Sequence, residues 1–142
     1  MVRHFASVFI LLLLAGRSAD AQPHVRAVIE ESYYKIKGGL TAEWLNLYKK
    51  NHLSILRELQ KERIIESIEL YEISYHRDVG GYNYKAVLRL KNWSALDEMT
   101  NRFAKVREKL FPDKAAFDKE ESRRWEITEH HWDDVIRPVQ IQ

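Results

Sequence analysis

Hydrophobic residues recur along this chain with a period that switches between two residues and three to four, in the order strand, helix, strand, strand, helix, strand. That order leaves few folds open, because every helix stripe and every strand face must be buried against another element. The first two-residue segment, Ala27 to Lys37, carries Val28, Ile29, Tyr33, Tyr34 and Ile36 and closes on Gly38-Gly39. Thr41 then caps a long helix. In it Trp44, Leu45, Tyr48, His52, Ile55, Leu56 and Leu59 return at three- and four-residue steps and share one face, while Lys49, Lys50, Arg57, Glu58 and Lys61 take the other. From Ser67 to Arg77, Ile68 and Leu70 lie on one side and Tyr71, Ile73 and Tyr75 on the other, the pattern of a strand covered on both faces.

Asp78-Val79-Gly80-Gly81 turns the chain into a third strand, Tyr82 to Lys91. Ser94 and Asp97 form a capping-box-like pair that opens the second helix, with Leu96, Met99, Phe103, Val106 and Leu110 as its buried stripe. Pro112 stops it, Asp113 to Arg124 makes a short helical excursion, and Trp125 to Trp132 forms the last strand. The predicted fold is α+β, a split β-α-β arrangement with an antiparallel sheet and two main helices on one face. The other face would carry aromatic and apolar side chains that a monomer exposes only at a cost in solubility, so the pattern predicts a homodimer.

Ahead of this unit stand Arg3 and His4, an apolar run from Phe5 to Ala15, and Ala19-Asp20-Ala21 with small residues at its first and last positions. These are the parts of a secretory signal peptide, cleaved after Ala21. The run is too short for the roughly twenty apolar residues that span a bilayer. Residues 1–21 therefore read as a leader and 22–142 as one domain, secreted or periplasmic, with no membrane attachment after cleavage. A net charge of +2 over 142 residues provides no electrostatic footprint for nucleic acid. The chain has no cysteine, which excludes disulfides, thiolate metal sites and thiol nucleophiles. Export without disulfides suits a bacterial periplasm. Asn92-Trp93-Ser94 matches a glycosylation sequon and reads better as a helix start.

The element order, together with Trp44-Leu45-Asn46-Leu47-Tyr48-Lys49-Lys50-Asn51-His52, resembles the dimeric α+β barrel superfamily of ferredoxin-like domains, which includes EthD-like, NIPSNAP-like and antibiotic-biosynthesis-monooxygenase-type proteins. In EthD-like and NIPSNAP-like members an aromatic residue likewise precedes a histidine by one turn of the first helix. Ser54 and Ile55 stand where such members often have a proline. The resemblance implies a cofactor-free oxygenase or a related proton-transfer enzyme acting on a small apolar or aromatic molecule. The haem-degrading branch uses an Asn, Trp and His constellation that has no counterpart in this sequence.

His52 is the candidate acid or base, since it lies on the apolar face of the first helix and imidazole titrates near neutral pH. The alternative is a buried histidine satisfied by a tyrosine hydroxyl or a carbonyl. Tyr34, Trp44, Tyr48 and Tyr84 are the candidate substrate-binding residues, as aromatic walls with polar tips suit a small-molecule pocket. The same rings would serve a packed, non-catalytic dimer equally well. Glu129, His131 and Asp133 share one side of the last strand, opposite His130 and Trp132, and invite a metal. Three ligands spread over roughly 13 Å of one strand converge poorly, so a metal would need His76 as well. The reading is that no metal and no cofactor are bound. Glu30-Glu31 and Glu120-Glu121 read as solvated pairs, and no phosphate loop or serine elbow is present.

Overall fold

The computed structural model describes residues 27–74, 81–139 and 141. The leader, the turn at 78–80, Tyr75 and His76 lie outside the described residues. The elements are β1 (Val28–Ile36), α1 (Thr41–Leu47), a π-helical turn (Tyr48–His52), α2 (Leu53–Lys61), β2 (Ile65–Glu72), β3 (Tyr84–Leu90), α3 (Trp93–Leu110), α4 (Lys114–Ile127) and β4 (Thr128–Ile136). The four strands form one antiparallel sheet in the order β2-β3-β1-β4. Both helical connections join strands that are not neighbours, the topology of the split β-α-β fold. Among the described helices none is long and apolar enough to cross a membrane.

Local chemistry explains where several boundaries depart from the sequence reading. Leu40, not Thr41, is the N-cap of α1, and it makes no side-chain cap bond. Ser94 and Asp97 do not open α3 as a capping box. Asn92 does, holding an extended backbone while its Oδ1 accepts the Ala95 N–H at 2.9 Å. Asp113 caps α4 in the same way, accepting the Ala116 N–H at 3.0 Å. With that cap α4 becomes a full helix of 14 residues that takes in Trp125, and the last strand starts only at Thr128 and runs on to Ile136.

Helix α2 ends at Lys61 with Glu62 as its C-cap, and Arg63 just beyond it adopts φ 62°. Its N–H donates to the Gln60 carbonyl at 2.9 Å and the Ile64 N–H donates to that of Leu59 at 3.0 Å, so the pair forms a Schellman motif without glycine. Leu59 and Ile64 supply the accompanying apolar contact and both join the core.

Two core clusters lie between helices and sheet. One gathers Val28, Ile55, Leu56, Leu59, Leu88, Leu90, Met99 and Val106 with their neighbours; the other holds Tyr34, Ile36, Trp44, Tyr48, Tyr84, Ala86 and Ile127. The opposite sheet face is open in the single chain, so β2 is covered on one side only and Tyr71 is 48% exposed. That face is less apolar than expected. Tyr33 stacks on Trp132 at 4.9 Å and meets Tyr82 edge-on at 4.8 Å, but the Lys85–Glu31 and Lys35–Glu129 ion pairs, each at 3.1 Å, stand among the rings.

Candidate functional site

The site is built where β1 passes under the π turn. Strand alternation gives Val28, Glu30, Ser32, Tyr34 and Ile36 one common face, and the cross-strand partners of Glu30, Ser32 and Tyr34 on β3 are Leu88, Ala86 and Tyr84. Above them the helix widens: the Leu53 N–H reaches back to the Tyr48 carbonyl, the i to i+5 bond of a π turn. The Ser54 hydroxyl donates to the Lys50 carbonyl at 2.6 Å, which satisfies backbone left over by the widened turn. Such turns often mark functional sites, and this one carries Tyr48, Asn51 and His52 toward the interior.

A cavity of about 180 Å³ lies at the boundary of the two core clusters. Leu56, Leu88, Met99 and Phe103 provide its apolar wall, and Glu30, Ser32, Tyr48 and His52 its polar groups. The His52 ring packs between Tyr48 at 5.3 Å and Phe103 at 5.4 Å. Burial, then the charge of Arg124 and the neighbouring His131, pushes His52 down to about 3, so the imidazole is neutral at any physiological pH. Burial likewise pushes the Tyr48 phenol far above its usual value. Tyr34 is pushed up to about 12 by burial, against the opposing pull of Arg124. Glu30 is raised as well, first by burial and then by the charge of Asp133.

No protein family and no curated protein matches the chain by sequence. Solved structures do match it in shape. A protein from Arabidopsis thaliana aligns with a TM-score of 0.54 at 10% identity, covering 81% of this chain and 98% of that one. A conserved protein from Methanosarcina mazei aligns at 0.51 and 15% identity, over 80% of this chain and 93% of its own. A NIPSNAP family protein of unknown function from Agrobacterium tumefaciens aligns at 0.51 and 12% identity, over 84% and 95%. The chain has the ferredoxin-like α+β fold. At these identities the likeness carries the fold and leaves chemistry to the residues.

Within this ferredoxin-like frame the five candidate residues divide. Tyr48 and His52 line the cavity. Trp44 is fully buried and stacks between Tyr48 at 4.9 Å and Tyr84 at 5.1 Å, with Tyr34 tilted on it at 4.8 Å, so these rings form solid core. Tyr84 also borders a separate cleft of about 510 Å³ under α2, along with Lys49, Arg57, Leu70 and Glu72.

The last strand does not gather Glu129, His131 and Asp133 around one point. The β1–β4 register shifts at Lys35/Ile36, and Glu129 pairs with Lys35, whose strand position belongs to the open face. His131 turns to Asp133 at 3.2 Å instead. Among the described residues no cluster of three or more His, Asp or Glu is placed to hold a metal.

Three residues escaped the sequence reading. Glu30, taken there for a solvated carboxylate, lines the cavity. Its signal was present, since it lies on the same two-residue series as Tyr34 and Ile36. Arg124, 2% exposed, forms an ion pair with Glu121 at 2.6 Å and lies 4.5 Å over the Trp125 ring, while its Nη1 has no hydrogen-bond partner among the described residues. Asn51 is fully buried on the π turn. Neither position is distinguishable by sequence from an exposed helix residue.

Proposed function

We propose that the chain is exported, loses residues 1–21, and acts as a homodimer whose cavity binds a small, largely apolar molecule of about one ring. The cavity carries this reading. Its 180 Å³ is close to the roughly 150 Å³ of an apolar cavity that takes up benzene. Apolar walls with a few convergent polar groups are the usual make-up of a ligand site. Neutral His52 and the Tyr48 phenol give that ligand hydrogen-bonding partners without a buried charge. The chemistry favoured is proton transfer, the step that also begins a cofactor-free oxygenation; His52 acts in it as a neutral hydrogen-bonding group.

Dimerisation is supported by the open sheet face, where Trp132 is 38% and Ile136 42% exposed beside Tyr33 and Tyr82. Aromatic residues of this kind are enriched in interfaces. The solid stack of Tyr34, Trp44 and Tyr84 favours a second reading, a dimer with an assembly role alone.

Native mass spectrometry of the protein purified from its exported compartment separates the two. A dimer starting at Gln22 and carrying a reproducible small mass, lost in His52→Ala, is the expected result. A bare dimer returns the assembly reading, a monomer removes dimerisation, and an intact residue 1–21 segment removes export.

A further inference from the structure

Among the described residues that line the cavity Glu30 is the one carboxylate, and it stands across that space from His52 and Tyr48 on the π turn. Its surroundings are specific. On its own strand Ser32 and Tyr34 share its face; β3 sets Leu88 opposite it; α3 contributes Met99, Thr100 and Phe103, none of them charged. On β4, Val135 is its direct partner and Asp133 pairs with Ser32, so Asp133 is its diagonal neighbour on the same side of the sheet. His131 lies one further step along that face, opposite Tyr34.

We propose that Glu30 is the proton acceptor of this cavity and that its ligand is a one-ring acidic phenol or enol. The inference rests on the ligand-binding reading above. The proton passes from the ligand O–H to a Glu30 carboxylate oxygen, and the electron pair of that bond stays on the ligand oxygen as phenolate or enolate. Neutral His52 and the Tyr48 hydroxyl are the donors at hand for that oxygen. Reversal returns the same proton, so no oxidant or further reactant enters. Burial keeps His52 and Tyr48 from changing charge, whereas burial and then the charge of Asp133 raise the Glu30 carboxyl above its ordinary value, which makes it a better proton acceptor.

The test is titration of the mature protein with 4-nitrophenol between about pH 5 and 8, reading the phenol and phenolate absorption bands. Wild type should bind it with a pH-dependent ratio of the two bands. Glu30→Gln should still bind, within about threefold at the acid end, and show the single titration of the ligand's own hydroxyl in place of the wild-type profile. Asp133→Asn should move the midpoint down, because the neighbouring negative charge that raises Glu30 is gone. Thr100→Trp, at an exposed position on the cavity rim, should block binding. A Glu30→Gln protein that keeps the wild-type pH profile overturns the Glu30 proposal alone. No binding by wild type, or binding indifferent to Thr100→Trp, overturns the cavity reading and the proposal with it.

Discussion

Trp44 donates its indole Nε1–H to Thr128 Oγ1 at 3.0 Å, and the same hydroxyl donates to the Arg124 carbonyl at 2.8 Å. One hydroxyl thus ties α1 to the junction where α4 passes into β4, across 84 residues of sequence. Thr128→Val keeps the shape and leaves the buried indole N–H unpaired, which costs about 1–3 kcal/mol. Urea denaturation should give that loss, and Thr128→Ser should recover most of it.

Arg124 is buried with Glu121 as its ion-pair partner. Glu121→Gln removes the compensating charge while the guanidinium stays inside, and breaking a buried pair this way is strongly destabilising. Since Glu121 retains some solvent contact, a loss of about 2–3 kcal/mol is expected. The double variant Glu121→Gln, Arg124→Met should be more stable than Glu121→Gln alone.

Arg63 holds a left-handed backbone that a side chain adopts only at a cost of about 1 kcal/mol. Arg63→Gly relieves it at the C′ position of a Schellman motif, where glycine is the favoured residue. A gain of about 0.5–1 kcal/mol should appear as a higher denaturation midpoint with an unchanged slope.

His52 binds its proton more weakly in the folded state than in the unfolded chain, because burial lowers it to about 3. Between that value and about 6.5 the unfolded state holds more protons, so the stability linked to His52 is complete above about 6.5 and is lost as pH falls. One such proton gives a slope of about 1.4 kcal/mol per pH unit. His52→Leu should flatten stability against pH on the acid side and leave a smaller dependence of the same sign from His131, which burial also lowers.

Trp132, on the edge strand β4, stacks on Tyr33 across the open sheet face. If that face is the dimer interface, Trp132→Glu should give a folded monomer by light scattering and circular dichroism. A dimer that survives the change places the contact elsewhere.

Periodicity carried the architecture. Alternation in Val28–Ile36 and Tyr84–Leu90, and the three- and four-residue steps through Trp44, Tyr48, Ile55 and Leu59, dictate which sides are buried, and the element order then leaves one sheet topology. Boundaries were less legible because a single side chain decides them. Asn92 and Asp113 take the caps by reaching a backbone N–H three residues on, and the competing Ser94 had no advantage visible in sequence.

The site was legible in part. His52 and Tyr48 follow from the helical stripe, since an inward position depends only on the local period. What those groups become chemically was decided by neighbours remote in sequence: β1 places Glu30 beneath the π turn, β4 brings Asp133 beside it, and α4 buries Arg124 next to Tyr34 and His131. The sequence by itself determined the layers and the face that each apolar stripe joins, because hydrophobic burial acts through local periodicity. The tertiary structure alone decided which polar groups share the cavity and which way their proton affinities move, because desolvation and charge act through space between elements that the chain order does not place side by side.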